Sequence, residues 1–209
     1  NSSNPTVGVL AHPGQVDVRI TAKAKDQNSA MTLIKPIEKD IRQLLGDNIF
    51  GVDEDTLENI VGNLLEKFNL TISTCEDISG GTISSTFQAT HKDLFNQGLV
   101  LNDKNSYEII NKFLKTETSN TSPKELAIAM AKLAKTLSGS DLGLALHGVE
   151  EEGIKTQNLG KGETYIAIVG NEFEEIKHIR SAGRGIPDKK RASMYALSMV
   201  KQIISKHFS

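Results

Sequence analysis

Val16, Val18 and Ile20 alternate with Asp17 and Arg19, the period of a half-buried strand. Another short apolar run precedes it in the stretch that begins at Asn4, and Pro13-Gly14 between the two predicts a turn. The period then lengthens. Ala30, Ile34, Ile37, Ile41 and Leu44 recur at helical spacing up to Gly46-Asp47, with Pro36 predicting a kink or the start of a second helical part. Asp55 and Glu58 form a capping-box pattern ahead of Leu57, Ile60, Val61, Leu64, Leu65 and Phe68, an apolar stripe of period 3.6. The order expected for this front part is strand, strand, helix, strand, helix.

Leu70 to Ser85 reads as strand, tight loop and helix: an apolar run breaks at Cys75-Glu76-Asp77, crosses Gly80-Gly81 and re-enters a helical pattern to Thr90. A strand over Gln97 to Leu101 and a helix over Asn105 to Lys115 follow. After a polar loop, Ser122 and Pro123 open a helix carrying Leu126, Met130, Leu133 and Leu137. Leu142 to Leu146 is a buried strand expected to end at His147-Gly148. Tyr165 to Val169 and Glu175 to Ile179 form a hairpin through Gly170-Asn171, and Pro187 starts a closing helix. Strands alternating with helices predict an α/β fold, a three-layer α/β/α sandwich, and the hairpin makes its sheet mixed. A small α+β module over 1–68 precedes this domain of 69–209.

The formal net charge of −2 and 24% charged residues describe a soluble chain, and no apolar run is long enough to span a bilayer. Lone Cys75 excludes an internal disulfide and a cysteine-based metal site, which fits a reducing, cytoplasmic setting. Without tryptophan, base-stacking platforms are sparse. Residues 1–68 carry seven basic against ten acidic side chains, the wrong sign for non-specific nucleic-acid binding. They also lack the G-x-x-G loop by which a KH domain grips a phosphate backbone, so a spacer or dimerisation module is the preferred reading. The last 33 residues reverse the charge, with eight basic side chains against Asp188; this is either a phosphate-holding segment or a solvated basic face. The start at Asn1 rather than Met suggests a fragment or processed chain.

The stretch LTISTCEDISGGTISS resembles the T-A-E-S-C-T-G-G motif of the CinA C-terminal domain family, the nicotinamide-nucleotide amidohydrolases, with Thr74, Glu76, Gly80 and Gly81 matching. LGLALHGV and GETYIAI are similar to two further family segments, and NPTVGVLAHPG with LGDNIFGVDEDTLE resembles the family's KH-like domain. In the family a molybdopterin-binding-like domain precedes it, and the resemblance read along this sequence leads to the expectation of a chain without that domain. The resemblance implies the three-layer fold, a homodimer, no cofactor and no metal. Its implied partners are a nicotinamide nucleotide or related small molecule and a protein of competence or DNA repair.

The family hydrolyses the carboxamide of nicotinamide mononucleotide with a serine activated by a lysine and assisted by a tyrosine. At the serine's place stands Asp77, and LNDKNSY stands where the tyrosine and lysine belong, so these fall at Leu101 or Asn102 and at Ser106 or Tyr107. Lys104 is one possible substitute. His147, followed after Val149 by the acidic run Glu150 to Glu152, is another, either as a base or as a hydrogen-bonded structural histidine. A carboxylate carries no proton for a base to remove and opposes a developing oxyanion. Asp77 is therefore read first as a cap for the following helix and second as a catalytic group. The ligand-binding set implied by the motif is Thr74, Glu76, Ser79, Gly80, Gly81 and Gly148. The expectation is an amidohydrolase-like domain retained for binding or regulation, with an active but altered amidohydrolase as the alternative.

Overall fold

A computed structural model describes residues 4–101, 104–115, 121–150, 162–181 and 185–208. Five strands make one mixed sheet: β3 (Ile72–Glu76), β4 (Phe95–Val100), β5 (Leu142–Glu150), β6 (Gly162–Val169) and β7 (Glu174–Ser181), in the order β4-β3-β5-β6-β7. β3 runs parallel to both β4 and β5, while β5, β6 and β7 are antiparallel neighbours. Three helices cover one face, α2 (Leu57–Lys67), α3 (Thr82–Thr90) and α6 (Ile186–Phe208). Their Val61, Leu65, Ile83, Phe87, Val200 and Ile204 pack with Ile72, Leu144, Leu146, Ile166 and Ile168 of the sheet. On the other face, α4 (Lys104–Leu114) and α5 (Pro123–Ser138) pack through Ile110, Met130 and Leu133 on Cys75, Ala145 and Ala167. Alternate residues of one strand thus face opposite layers. This is the three-layer α/β/α sandwich with a mixed sheet.

In front lie the antiparallel hairpin β1 (Thr6–His12) and β2 (Gln15–Thr21) and the helix α1 (Gln27–Leu45), which carries Pro36 inside it. The third strand expected in this part is absent among the described residues: a single 3-10 turn, Gly46–Asn48, leads from α1 towards α2. The cap of α2 is Thr56, whose side chain accepts from the Asn59 N–H, whereas Asp55 turns back to accept from Val52 N at 2.9 Å. Leu57, Val61 and Leu65 are buried in the core shared with the sheet. Packing therefore groups α2 with the sheet, although the sequence reading ended the front module at Phe68.

Two strand limits also differ from expectation. β3 runs through Cys75 and Glu76, where the apolar pattern breaks, because it is the inner strand between β4 and β5 and both positions are buried. β5 continues past His147 to Glu150, because β6 pairs with it up to Gly162. His147 is an interior strand residue rather than a strand end.

Candidate functional site at the carboxyl end of strands β3 and β5

The carboxyl end of β3 places two adjacent carboxylates in opposite layers, Glu76 as its last residue and Asp77 just past it. Glu76 points to the α3 layer and is fully buried. Its Oε2 accepts from Ser79 Oγ at 2.6 Å and Ile83 N at 3.0 Å, and its Oε1 from Ser84 N at 2.7 Å and from Ser84 Oγ. The Ile83 and Ser84 amides belong to the first turn of α3, whose positive dipole end faces the carboxylate. Gly81, at the cap position with φ of 89°, has no side chain to do this. Glu76 is thus the cap of α3, a role the sequence reading gave first to Asp77. Thr74 on the same side of β3 shares a 2.7 Å bond with Ser84 Oγ. Gly80 adopts φ of 64°, and a Cβ there would lie 3.4 Å from the Lys189 ammonium. Two successive left-handed residues explain the glycine pair.

Asp77 turns to the α5 layer. Its Oδ2 meets His147 Nδ1 at 2.6 Å, and its Oδ1 accepts from Gly148 N at 2.8 Å and from Ile78 N. Both side chains of the pair are nearly enclosed, 6% exposed for His147 and 11% for Asp77. A Cβ on Gly148 would lie 2.4 Å from Ile78 Cβ, so glycine lets β5 close against the Asp77 loop. With a carboxylate on Nδ1, that nitrogen carries the shared proton and the ring is fixed in orientation. The charges of Asp77 and Glu76 add to the effect of burial, which is the main cause, in pushing the Cys75 thiol far above its usual range.

Beyond His147 the lane of polar rings continues. Tyr165 and His178 lie at successive register positions across β5, β6 and β7, with ring centroids 6.5 Å and 4.8 Å apart along the row. Glu163 accepts from Tyr165 Oη at 2.8 Å and stands 3.4 Å from His178 Nε2. That hydrogen bond raises the Tyr165 hydroxyl above its ordinary titration range. These three residues were not anticipated. Their signal was the register: once the Gly170 hairpin is set, Tyr165 must face His178, and the parity of β6 puts Glu163 beside them.

The structure brings Thr74, Glu76, Asp77, Ser79, Gly80, Gly81, His147 and Gly148 together around the end of β3. Lys104 opens α4, but its side chain and those of Ser106 and Tyr107 lie outside the described residues, as do Asn102, Glu151, Glu152 and the side chain of Glu150. Leu101 is buried and can supply no hydroxyl. No group of three or more potential metal ligands occurs among the described residues. Among them, too, no helix is long and apolar enough to cross a membrane. Much of the basic C-terminal segment is engaged: Lys206 bonds Glu175, Arg191 bonds Asp188, and the Lys177 ammonium sits 5.1 Å from the centre of the Tyr195 ring.

Comparison with known proteins gives matches along the chain. The family model of the damage-inducible protein CinA KH domain matches residues 1–51, and that of the CinA C-terminal domain matches residues 54–204. A CinA-like protein of Kosmotoga olearia is 34% identical over 98% of this chain and 50% of its own length. A putative competence-damage inducible protein of Clostridium tetani is 38% identical over 83% of this chain and 44% of its own. The chain thus spans about half the length of these curated relatives. Among solved structures, a CinA superfamily protein of Klebsiella pneumoniae superposes with a TM-score of 0.60 at 16% identity, covering 72% of this chain and 96% of that one, a likeness of fold. A second, the competence-damaged superfamily protein of Enterobacter cloacae, gives 0.55 at 15% identity over 76% and 96%. The two family matches divide the chain between hairpin module and sheet domain, and with them the chain belongs to the CinA family of competence- and damage-inducible proteins.

Proposed function

We propose that the sheet domain is an amidohydrolase-like domain that does not run the family's serine chemistry and serves instead to bind a nicotinamide nucleotide or a related small molecule, in a binding or regulatory role linked to competence or DNA damage. The observation that carries this reading is the engagement of Asp77. Covalent amide hydrolysis needs a neutral hydroxyl whose proton a base removes, with donors left over to receive the oxyanion. The residue in the serine's place is a carboxylate, and the Gly148 and Ile78 amides beside it already donate to that carboxylate. Donors spent in this way stabilise Asp77 and give nothing to a transition state. The test is ammonia release from nicotinamide mononucleotide by the whole chain, alongside calorimetric titration with the same nucleotide. Binding without ammonia supports the proposal; ammonia release refutes it.

A second reading is favoured by one observation. An imidazole held through Nδ1 by a buried carboxylate is oriented as a general base. His147 in that role activates a water for direct attack on an amide, with Lys104 as the other candidate. Ammonia release lost in His147→Ala but kept in Lys104→Ala would select it.

A further inference from the structure

The basic C-terminal stretch leaves a guanidinium of the sheet unused. Lys177, Arg191 and Lys206 are engaged, whereas Arg180 of β7 is exposed and has no hydrogen bond or ion pair among the described residues. Its register partner on β6 is Glu163. Alternation along the strands puts both on the α5 side of the sheet, together with His147, Tyr165 and His178. Opposite charges placed directly across two antiparallel strands attract each other. These two do not pair, because the carboxylate is already held by the rings: Glu163 Oε2 accepts from Tyr165 Oη at 2.8 Å and faces His178 Nε2 at 3.4 Å.

What remains is an acceptor and a set of donors side by side. Glu163 Oε1 has no partner among the described residues, and the side chain is 34% exposed. Further down the same face α5 packs over Ala145 and Ala167, so the polar row lies beyond that apolar contact. It is continuous with the Asp77–His147 pair, since His147 stands beside Tyr165. With strands about 4.8 Å apart and a rise of about 3.4 Å per residue, Glu163 lies roughly 12 Å from Asp77, backbone to backbone. One ring does not bridge that distance, whereas a base with its sugar and phosphate does.

We propose that Glu163 and Arg180 read the ribose and the phosphate of a ribonucleoside monophosphate whose base lies at the Asp77–His147 pair. A carboxylate oxygen accepts from ribose hydroxyls, as acidic residues do in dinucleotide sites. A guanidinium offers forked donors that match phosphate oxygens. The two together also discriminate. Glu163 repels a bare phosphate at Arg180, so sugar hydroxyls have to be present to engage the acceptor. The inference rests on the nucleotide reading above, and it adds the residues on β6 and β7 that tell a mononucleotide from its nucleoside and from free phosphate.

Calorimetric titration of the whole 209-residue chain with nicotinamide mononucleotide, nicotinamide riboside and inorganic phosphate is the test. The mononucleotide should bind more tightly than the riboside, and inorganic phosphate more weakly than either. Arg180→Ala should weaken the mononucleotide about tenfold or more and leave the riboside unchanged. Glu163→Ala should weaken both compounds about tenfold, and Glu163→Gln, which keeps the shape and loses the charge, should fall between, with the circular dichroism of each variant unchanged. Mononucleotide binding that neither substitution changes overturns the proposal and leaves the nucleotide pocket standing. So does an Arg180→Ala loss that is equal for riboside and mononucleotide, or inorganic phosphate binding as tightly as the mononucleotide. An unmodified chain that binds neither mononucleotide nor riboside overturns both this inference and the reading it rests on.

Discussion

Three donors among the described residues converge on the Asp77 carboxylate, two of them backbone amides. Shortening this side chain to serine leaves His147 Nδ1 and at least one amide without the acceptor they have now. Leaving buried hydrogen-bonding groups without their acceptor costs about 1–3 kcal/mol. Asp77→Ser should therefore lower the melting temperature of the domain while producing no ammonia from nicotinamide mononucleotide, because a nucleophile without its activating base recovers little. Ammonia release by this variant alone would show that the remaining machinery is intact. Tyr165 supplies a pH test. Its titration is raised by the bond to Glu163, so the contribution of that bond to stability is present below the ordinary value of 10.0 and is lost as pH rises through the folded value. Ultraviolet titration should show Tyr165 ionising above 10.0, and Glu163→Gln should bring it down. At this scale the sequence identified Asp77 and His147 separately, but not their pairing. They stand 70 positions apart, and only the parallel register of β3 and β5 sets them side by side.

Helix α3 begins at a glycine and is capped from outside by Glu76 of the preceding strand. Glu76→Ala removes an acceptor from four donors and the charge facing the helix start. A loss of about 3 kcal/mol is expected by chemical denaturation, with Glu76→Gln intermediate, since its amide oxygen still accepts but carries no charge. An unchanged midpoint in Glu76→Ala would mean that the carboxylate does not hold the loop. A second element contact depends on the absence of a side chain: a Cβ on Gly62 of α2 would lie 1.9 Å from His91 Nε2 at the end of α3. Gly62→Ala should cost about 1–3 kcal/mol through overpacking, while Gly8→Ala, where a Cβ meets nothing within 4 Å, is the control. The helical stripes and the closing hairpin were legible because burial on one side leaves a period in the sequence. The cap of α2 was misread by one residue, since Asp55 and Thr56 are both good caps and only the backbone decides between them. The long-range cap from Glu76 has no local pattern and was out of reach.

At the scale of the whole molecule, the three layers and the mixed sheet follow from alternating elements and one hairpin, and they were legible. The grouping of α2 was not. Its apolar stripe says that one face is buried but not against what, and the structure packs it on α6 and α3. The same limit applied to the front hairpin, where alternation predicted a half-buried strand and its valine face lies open. The central proposal concerns the domain as a chemical object: a CinA-family sheet in which Asp77, at the position the resemblance gives to the family's serine, is held by His147 in a buried pair. It is tested most directly by coupled-enzyme measurement of ammonia released from nicotinamide mononucleotide by the unmodified 209-residue chain, at enzyme concentrations high enough to detect a single turnover. The account predicts no release above the rate without protein. Steady release that disappears in Asp77→Ala would contradict it, and would make the Asp77–His147 pair the catalytic centre of a different hydrolytic mechanism.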